Sequence, residues 1–276
     1  LLSNLRNLKM TVSTQLLDAQ SWVKVRSSLD PTRSTFLVWT GSIYAFIPGE
    51  KKKHLFKMVG MSVSRCLPME ENHWAFTSRE LTYYLDPETG EKLQKWTNPW
   101  SEEVLPVMHV ANNPVQGNFK GKFPAQVGEE TTTFVFDIFP AYPNPLADPK
   151  FAEYSPKADY QAAELFKFGV PTAELFNDNL PSVSKLWLTW DRIGPWVPWM
   201  KMGDRAGHLI YSATGSKVDG FEQLPQLLQD EINTRMPLYR QAPEAPLDVE
   251  DMTSWLYFQE HFDAYLAGET FPIPAN

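Results

Sequence analysis

One cysteine in 276 residues leaves no partner for an intrachain disulfide and no thiolate cluster for zinc. That residue, Cys66, lies in an apolar segment and reads as an inert core thiol. No apolar run approaches the ~18–20 residues needed to span a bilayer, so no membrane span is expected. The opening LLSNLRNLKM, interrupted by Asn, Arg and Lys, does not read as a secretion signal. Met10 reads as a native initiator, which would make residues 1–9 vector or upstream sequence, and a cytoplasmic protein is the expectation. Basic clusters are equally scarce: the net charge is −8, and the only run, Lys51-Lys52-Lys53, reads as a solvated hairpin tip. Nucleic acid is therefore not an expected partner, because counterion release needs clustered Lys and Arg.

Familiar chemical motifs are missing too. The chain has no GxGxxG, GKS/T, HExxH, GxSxG or CxxC. Its five histidines have no metal-ligand spacing; only a metal site assembled from distant strands stays open. No cofactor and no metal is expected. What remains is acid/base chemistry by the chain's own residues, or simple binding.

Proline and tryptophan are in excess, with 23 and 10 copies. Successive β-formers at 36–47, 55–67, 74–85, 91–97, 103–110, 131–139, 183–193 and 208–214 predict short antiparallel strands. The turn Asp86-Pro-Glu-Thr-Gly90 is a strong hairpin signal. The expected fold is mainly β: an antiparallel, barrel-like meander of the calycin or lipocalin kind with a few peripheral helices. Residues 1–19 read as an N-terminal extension and 20–276 as one domain. Helices are expected at 159–168 and 171–179 (an insertion at about 155–180), at 221–236, and at about 250–267. Met252, Trp255, Leu256, Phe262 and Tyr265 give the last one its spacing.

The densest feature is Trp187–Gly207, in which Trp187, Trp190, Trp196 and Trp199 accompany Met200 and Met202. Prolines at 195 and 198 stiffen it. Such a segment either closes one end of the core or lines a pocket for an apolar organic ligand, and the two readings are compatible. On the strand 74–85, Trp74, Phe76, Glu80 and Tyr84 share a face, while Arg79 points the other way. Glu80 is either a solvent-facing side chain or, against an apolar wall with Trp74 and Tyr84, a general acid of raised pKa. Asp191 beside Arg192 is either an anchor for the Trp/Pro loop or part of the pocket. His109 is either a hydrogen-bonded core residue or a base. Asp137, between Phe136 and Ile138, is a weaker fourth candidate.

SRELTYYLDPETGEKLQKWTNPW (78–100), PVMHVANNPV (106–115), WDRIGPWVPWMKMGDRAGH (190–208) and RSSLDPT (26–32) resemble the bacterial and fungal family known as domain of unknown function 1838. The resemblance covers roughly residues 20–265. Where the family suggests an Asn-Asp-Pro turn, this chain has Asn112-Asn113-Pro114, which removes a carboxylate. Fungal relatives sit among tailoring genes of secondary metabolism. Residues and resemblance together suggest a cofactor-independent cyclase or isomerase for a hydrophobic secondary-metabolite intermediate, working by acid initiation or by shape-controlled pericyclic closure. A lipocalin-like carrier and a small epoxide or ester hydrolase are the alternatives. The substrate and the oligomeric state are not legible in the sequence.

Overall fold

A computed structural model describes residues 12–276, so the expectation for Met10 and residues 1–9 lies outside the described residues. The strands are β1 (Ser13–Asp18), β2 (Thr35–Phe46), β3 (Lys53–Pro68), β4 (His73–Leu85), β5 (Lys95–Thr97), β6 (Val104–Pro106) and β7 (Val110–Lys120). They continue with β8 (Lys122–Val127), β9 (Thr131–Ile138), β10 (Ala141–Pro143), β11 (Asp159–Gln161), β12 (Ala163–Pro171), β13 (Trp187–Gly194) and β14 (His208–Val218). Ten of them form one antiparallel sheet in the order β1-β8-β9-β12-β13-β14-β2-β3-β4-β7. The sheet curls into a half-barrel. Mainly β architecture with few helices is thus what the chain adopts.

Register sorts the side chains between two faces. Glu80 stands opposite Ser62, and Ser62 opposite Leu37. Trp190 stands opposite Phe166 and Ala213, and Phe166 opposite Phe136. These residues share the concave face. The outer face of β2–β4 is covered by the C-terminal part of the chain, where Leu228, Ile232, Met236 and Tyr239 join one core cluster with Met61, Val63, Leu81 and Tyr83.

The helical insertion expected near 155–180 is not there. Asp159–Phe168 falls in β11 and β12, and only Thr172–Leu175 (α2) is helical. The physical reason is a period of two: Phe166 and Phe168 point inward against Phe134, Phe136 and Trp190, while Leu165 and Lys167 point out. Pro225 interrupts the helix expected at 221–236, so a short 3₁₀ turn (Phe221–Gln223) precedes it and helix α3 (Gln226–Thr234) begins after it. The last helix divides at His261 into α4 (Ser254–Glu260) and α5 (Phe262–Leu266). It packs as its spacing suggests, through Trp255 on Tyr160 and Phe262 on Phe151.

Strands β1 and β8 and nearly all of β7 are not among the expected elements, and neither is helix α1 (Ala19–Arg26). Asp18 caps its N-terminus by accepting from the Ser21 amide at 2.8 Å. Its C-terminal carbonyls meet Lys217, whose ammonium donates to the oxygens of Lys24, Val25 and Ser27 and to Ser182 Oγ at 2.6–3.1 Å. Burial, with Arg26 and Arg33 nearby, lowers the Lys217 pKa to about 7. Trp22 drives the docking, its ring lying 4.4–6.0 Å from those of Phe119, Phe123, Phe134, Phe136 and Phe168.

Lys217→Met keeps the apolar stem but removes the donor shared by four oxygens, of which the Lys24 and Ser27 carbonyls keep a second donor in the Val183 amide and Ser182 Oγ. It should destabilise the fold by about 2–4 kcal/mol in urea denaturation. Unchanged stability would show that water replaces the amine at no cost.

Candidate functional site

Between α1 and the concave face lies a cavity of about 450 Å³, within the range of small-molecule sites. Its walls are largely aromatic. Trp22 comes from α1, Trp39 from β2, Phe136 from β9, Phe166 from β12 and Trp190 from β13. Gly60 makes room for Trp39, because a Cβ there would sit 2.4 Å from the indole nitrogen. That indole N–H is buried and has no hydrogen-bond partner.

Two carboxyl groups enter the cavity from opposite parts of the sheet, Glu80 from β4 and Glu164 from β12. Their surroundings differ. Glu164 accepts from Trp190 Nε1 at 3.2 Å and lies 3.6 Å from Arg192 Nε. Arg192 in turn donates to Tyr160 Oη at 2.8 Å and sits over the Tyr211 ring. Glu80 has no cation within 4.0 Å among the described residues. Burial raises its pKa, Arg26 pulls it down, and Glu164 pushes it up again. The net direction is upward. A desolvated carboxyl group held toward its neutral form is a proton donor, and the aromatic walls suit a cation formed by that proton.

A bulge in the β4–β7 pairing falls at Ser78/Glu80. Arg79, on the outer side, donates through Nε to Asn113 Oδ1 at 2.9 Å. Asn112, Asn113 and Pro114 thus lie within strand β7 rather than in the expected turn, and Asn113 holds Arg79 at the sheet edge.

Of the other expected acids and bases, none reaches the cavity. Asp191 pairs in register with Leu165, and Leu165 with Asp137, which puts both aspartates on the outer face. Asp137 is exposed there. The cause is parity: in β13 the concave positions belong to Trp190 and Arg192. His109 is buried in the core, its Nδ1 accepting from the Tyr84 amide and its Nε2 facing the Leu93 carbonyl, each at 3.0 Å. It fits the core alternative. Burial, aided by Lys92, lowers its pKa to about 3.

The Trp/Met segment also divides. Trp190 lines the cavity. Trp187 is on the outer face, 44 % exposed, with its indole over Gly169. Trp196, Trp199, Met200 and Met202 are buried in the main core and do not line the cavity. Trp196 donates to the Arg205 carbonyl at 2.9 Å and packs on Trp100, while Trp199 contacts Phe56, Tyr84 and Trp96. The segment closes one end of the core. Tyr84 and Trp74 do share Glu80's face, yet Tyr84 belongs to that closed end, and Trp74 packs at the other end against Phe119, Phe76 and Cys66. Cys66 is wholly buried, and burial raises its pKa to about 12.

Sequence reasoning missed Trp22, Arg26, Trp39 and Glu164. Trp39, Phe136 and Phe166 carried a signal in strand parity; Arg26 carried none, because its helix went unread. Among the described residues, no three or more His, Cys, Asp or Glu side chains gather as a metal-binding group, and no helix is long and apolar enough to cross a membrane.

Residues 32–262 match the family described as "Protein of unknown function (DUF1838)". The chain belongs to the DUF1838 family. No curated protein matches it. In this DUF1838 chain the matched span holds β2 to α4 and thus most of the cavity wall, Glu80 and Glu164 included, while Trp22 and Arg26 precede it.

The His109 pKa carries a stability consequence. Between pH 6.5 and about 3 the unfolded chain protonates this imidazole and the native state does not. Stability therefore falls as pH drops through that window, by about 1 kcal/mol per unit from this group. Urea denaturation between pH 7 and 4 should show a shallower loss in His109→Gln than in the wild type. Equal slopes would mean that the buried imidazole accepts a proton in place.

Proposed function

We propose that the concave cavity binds a largely apolar organic molecule and that Glu80 protonates it, starting a cyclisation or isomerisation that needs no cofactor. The observation that carries this reading is the position of Glu80: a carboxyl group of raised pKa, without a cation within 4.0 Å, facing an aromatic cavity. The proton goes to an alkene, epoxide or carbonyl oxygen of the ligand. The cation so formed is stabilised by the ring faces, each desolvated contact contributing about 2 kcal/mol or more, and by the Glu164 carboxylate. Shape directs which bond forms next. Loss of a proton to the Glu80 carboxylate then restores the acid, so the net change is an isomerisation.

Secondary-metabolite chemistry is part of this proposal, on the strength of the family resemblance. Glu164 is a counter-charge rather than a donor, because Trp190 and Arg192 already occupy it. A carrier would use the same walls without needing a desolvated acid among them. Glu80 is what favours chemistry over carriage.

Glu80→Gln preserves size and hydrogen bonding while removing the proton. On polyene epoxides and cyclic enones, in D₂O, the wild type should convert substrate and place one deuterium at the protonated carbon when an alkene is the acceptor. The variant should fold, bind and lose about 10²-fold or more in rate. Full turnover by the variant would leave shape alone as the catalyst; binding without turnover by the wild type would favour the carrier.

A further inference from the structure

The cavity wall contains a cation that no nearby acid neutralises. Arg26 reaches it from α1, one turn beyond Trp22, and its guanidinium donates to Ser62 Oγ at 3.0 Å and Ser64 Oγ at 3.2 Å. The guanidinium carbon lies 4.7 Å from the centroid of the Phe76 ring. All three partners are uncharged. Among the described residues, no carboxylate oxygen comes within 4.0 Å of Arg26. Burial disfavours the charged form, but a guanidinium in a protein does not surrender its proton. The charge stays, and two serine oxygens and the Phe76 ring offset its desolvation without any ion pair. Glu80 is the acid whose field Arg26 feels most, and burial drives Glu80 toward neutrality.

A site built only for hydrocarbon has no use for such a group. Most of its N–H donors remain free, in the planar fork that fits a carboxylate with two parallel hydrogen bonds. The serines hold the fork still, which reduces the entropy lost on binding.

We infer that the ligand is an organic anion, an aromatic or polyunsaturated carboxylate whose head group pairs with Arg26 and whose body lies between Trp22, Phe136, Phe166 and Trp190. This rests on the cavity being the ligand site. Ser62 accepts from Arg26 and stands opposite Glu80 in the β3–β4 register, so the anchored head group brings its neighbouring carbons beside Glu80. Arg26 thereby acts as a specificity residue. It selects acids over their esters and alcohols, and it orients them for protonation.

Fluorescence titration at pH 7 with cis-parinaric acid and its methyl ester tests the inference. The wild type should bind the acid about tenfold or more tightly than the ester, as expected for hydrogen bonds to a charged group. Arg26→Gln, which keeps an N–H donor for the serines, should weaken the acid to the level of the ester and leave the ester unchanged. Arg26→Lys, with charge and stem retained, should keep a reduced preference, because an ammonium cannot form the two-pronged pair. Equal affinity of the wild type for acid and ester overturns the inference and leaves an apolar site intact. An acid preference that survives in Arg26→Gln also overturns it. Binding of neither probe instead overturns the reading of the cavity as a ligand site.

Discussion

The burial of Trp22 against five phenylalanines is the contact on which the site depends. Without it, α1 has little reason to sit in the half-barrel: eight residues are too few for a stable helix in water. With it, the helix becomes a roof over the concave face. That roof makes a cavity out of a curved sheet, brings Arg26 to the wall and takes Glu80 away from water. Lys217 completes the docking from below by satisfying the carbonyls at the helix end. One aromatic contact thus shapes the cavity and shifts its acid.

The two ends of the concave face do different jobs. At one end Tyr84, Trp199, Met200 and their neighbours form a packed core that leaves no room for a ligand. Toward the other, Gly60 lets the Trp39 indole lie close against the sheet, and the cavity extends beside a carboxyl group. Glu80 faces an aromatic cavity without a cation within 4.0 Å, while Glu164 is tied to Trp190 and Arg192. Two acids of the same kind are set apart by what surrounds them.

Much of the sheet was legible in the sequence, because a half-buried strand alternates and turns such as Asp86–Gly90 have specific residues. The face shared by Phe76, Glu80 and Tyr84 could be read from parity alone. Parity also misled where only one strand was considered, since Asp191 needs its partners across β12 and β14 to show which side it faces. The segment Ala19–Arg26 was hard to read as a helix: Lys24 is buried beside Ala19, Trp22, Val23 and Val25, so burial there does not follow polarity. Trp196 and Trp199 carry a different lesson. Tryptophan content announces burial, and whether the ring meets a ligand or another side chain depends on the neighbours that the fold supplies.

The proposed chemistry requires a desolvated acid in the cavity, and the protonation state of Glu80 tests that most directly. Infrared difference spectra between wild type and Glu80→Gln, recorded across a pH series, isolate the carbonyl stretch of this one carboxylic acid. That band should persist above the pH at which an ordinary glutamate has ionised, and should rise further in pH when an apolar probe fills the cavity and expels water. A band that disappears in the ordinary carboxylate range, with or without the probe, would contradict the account.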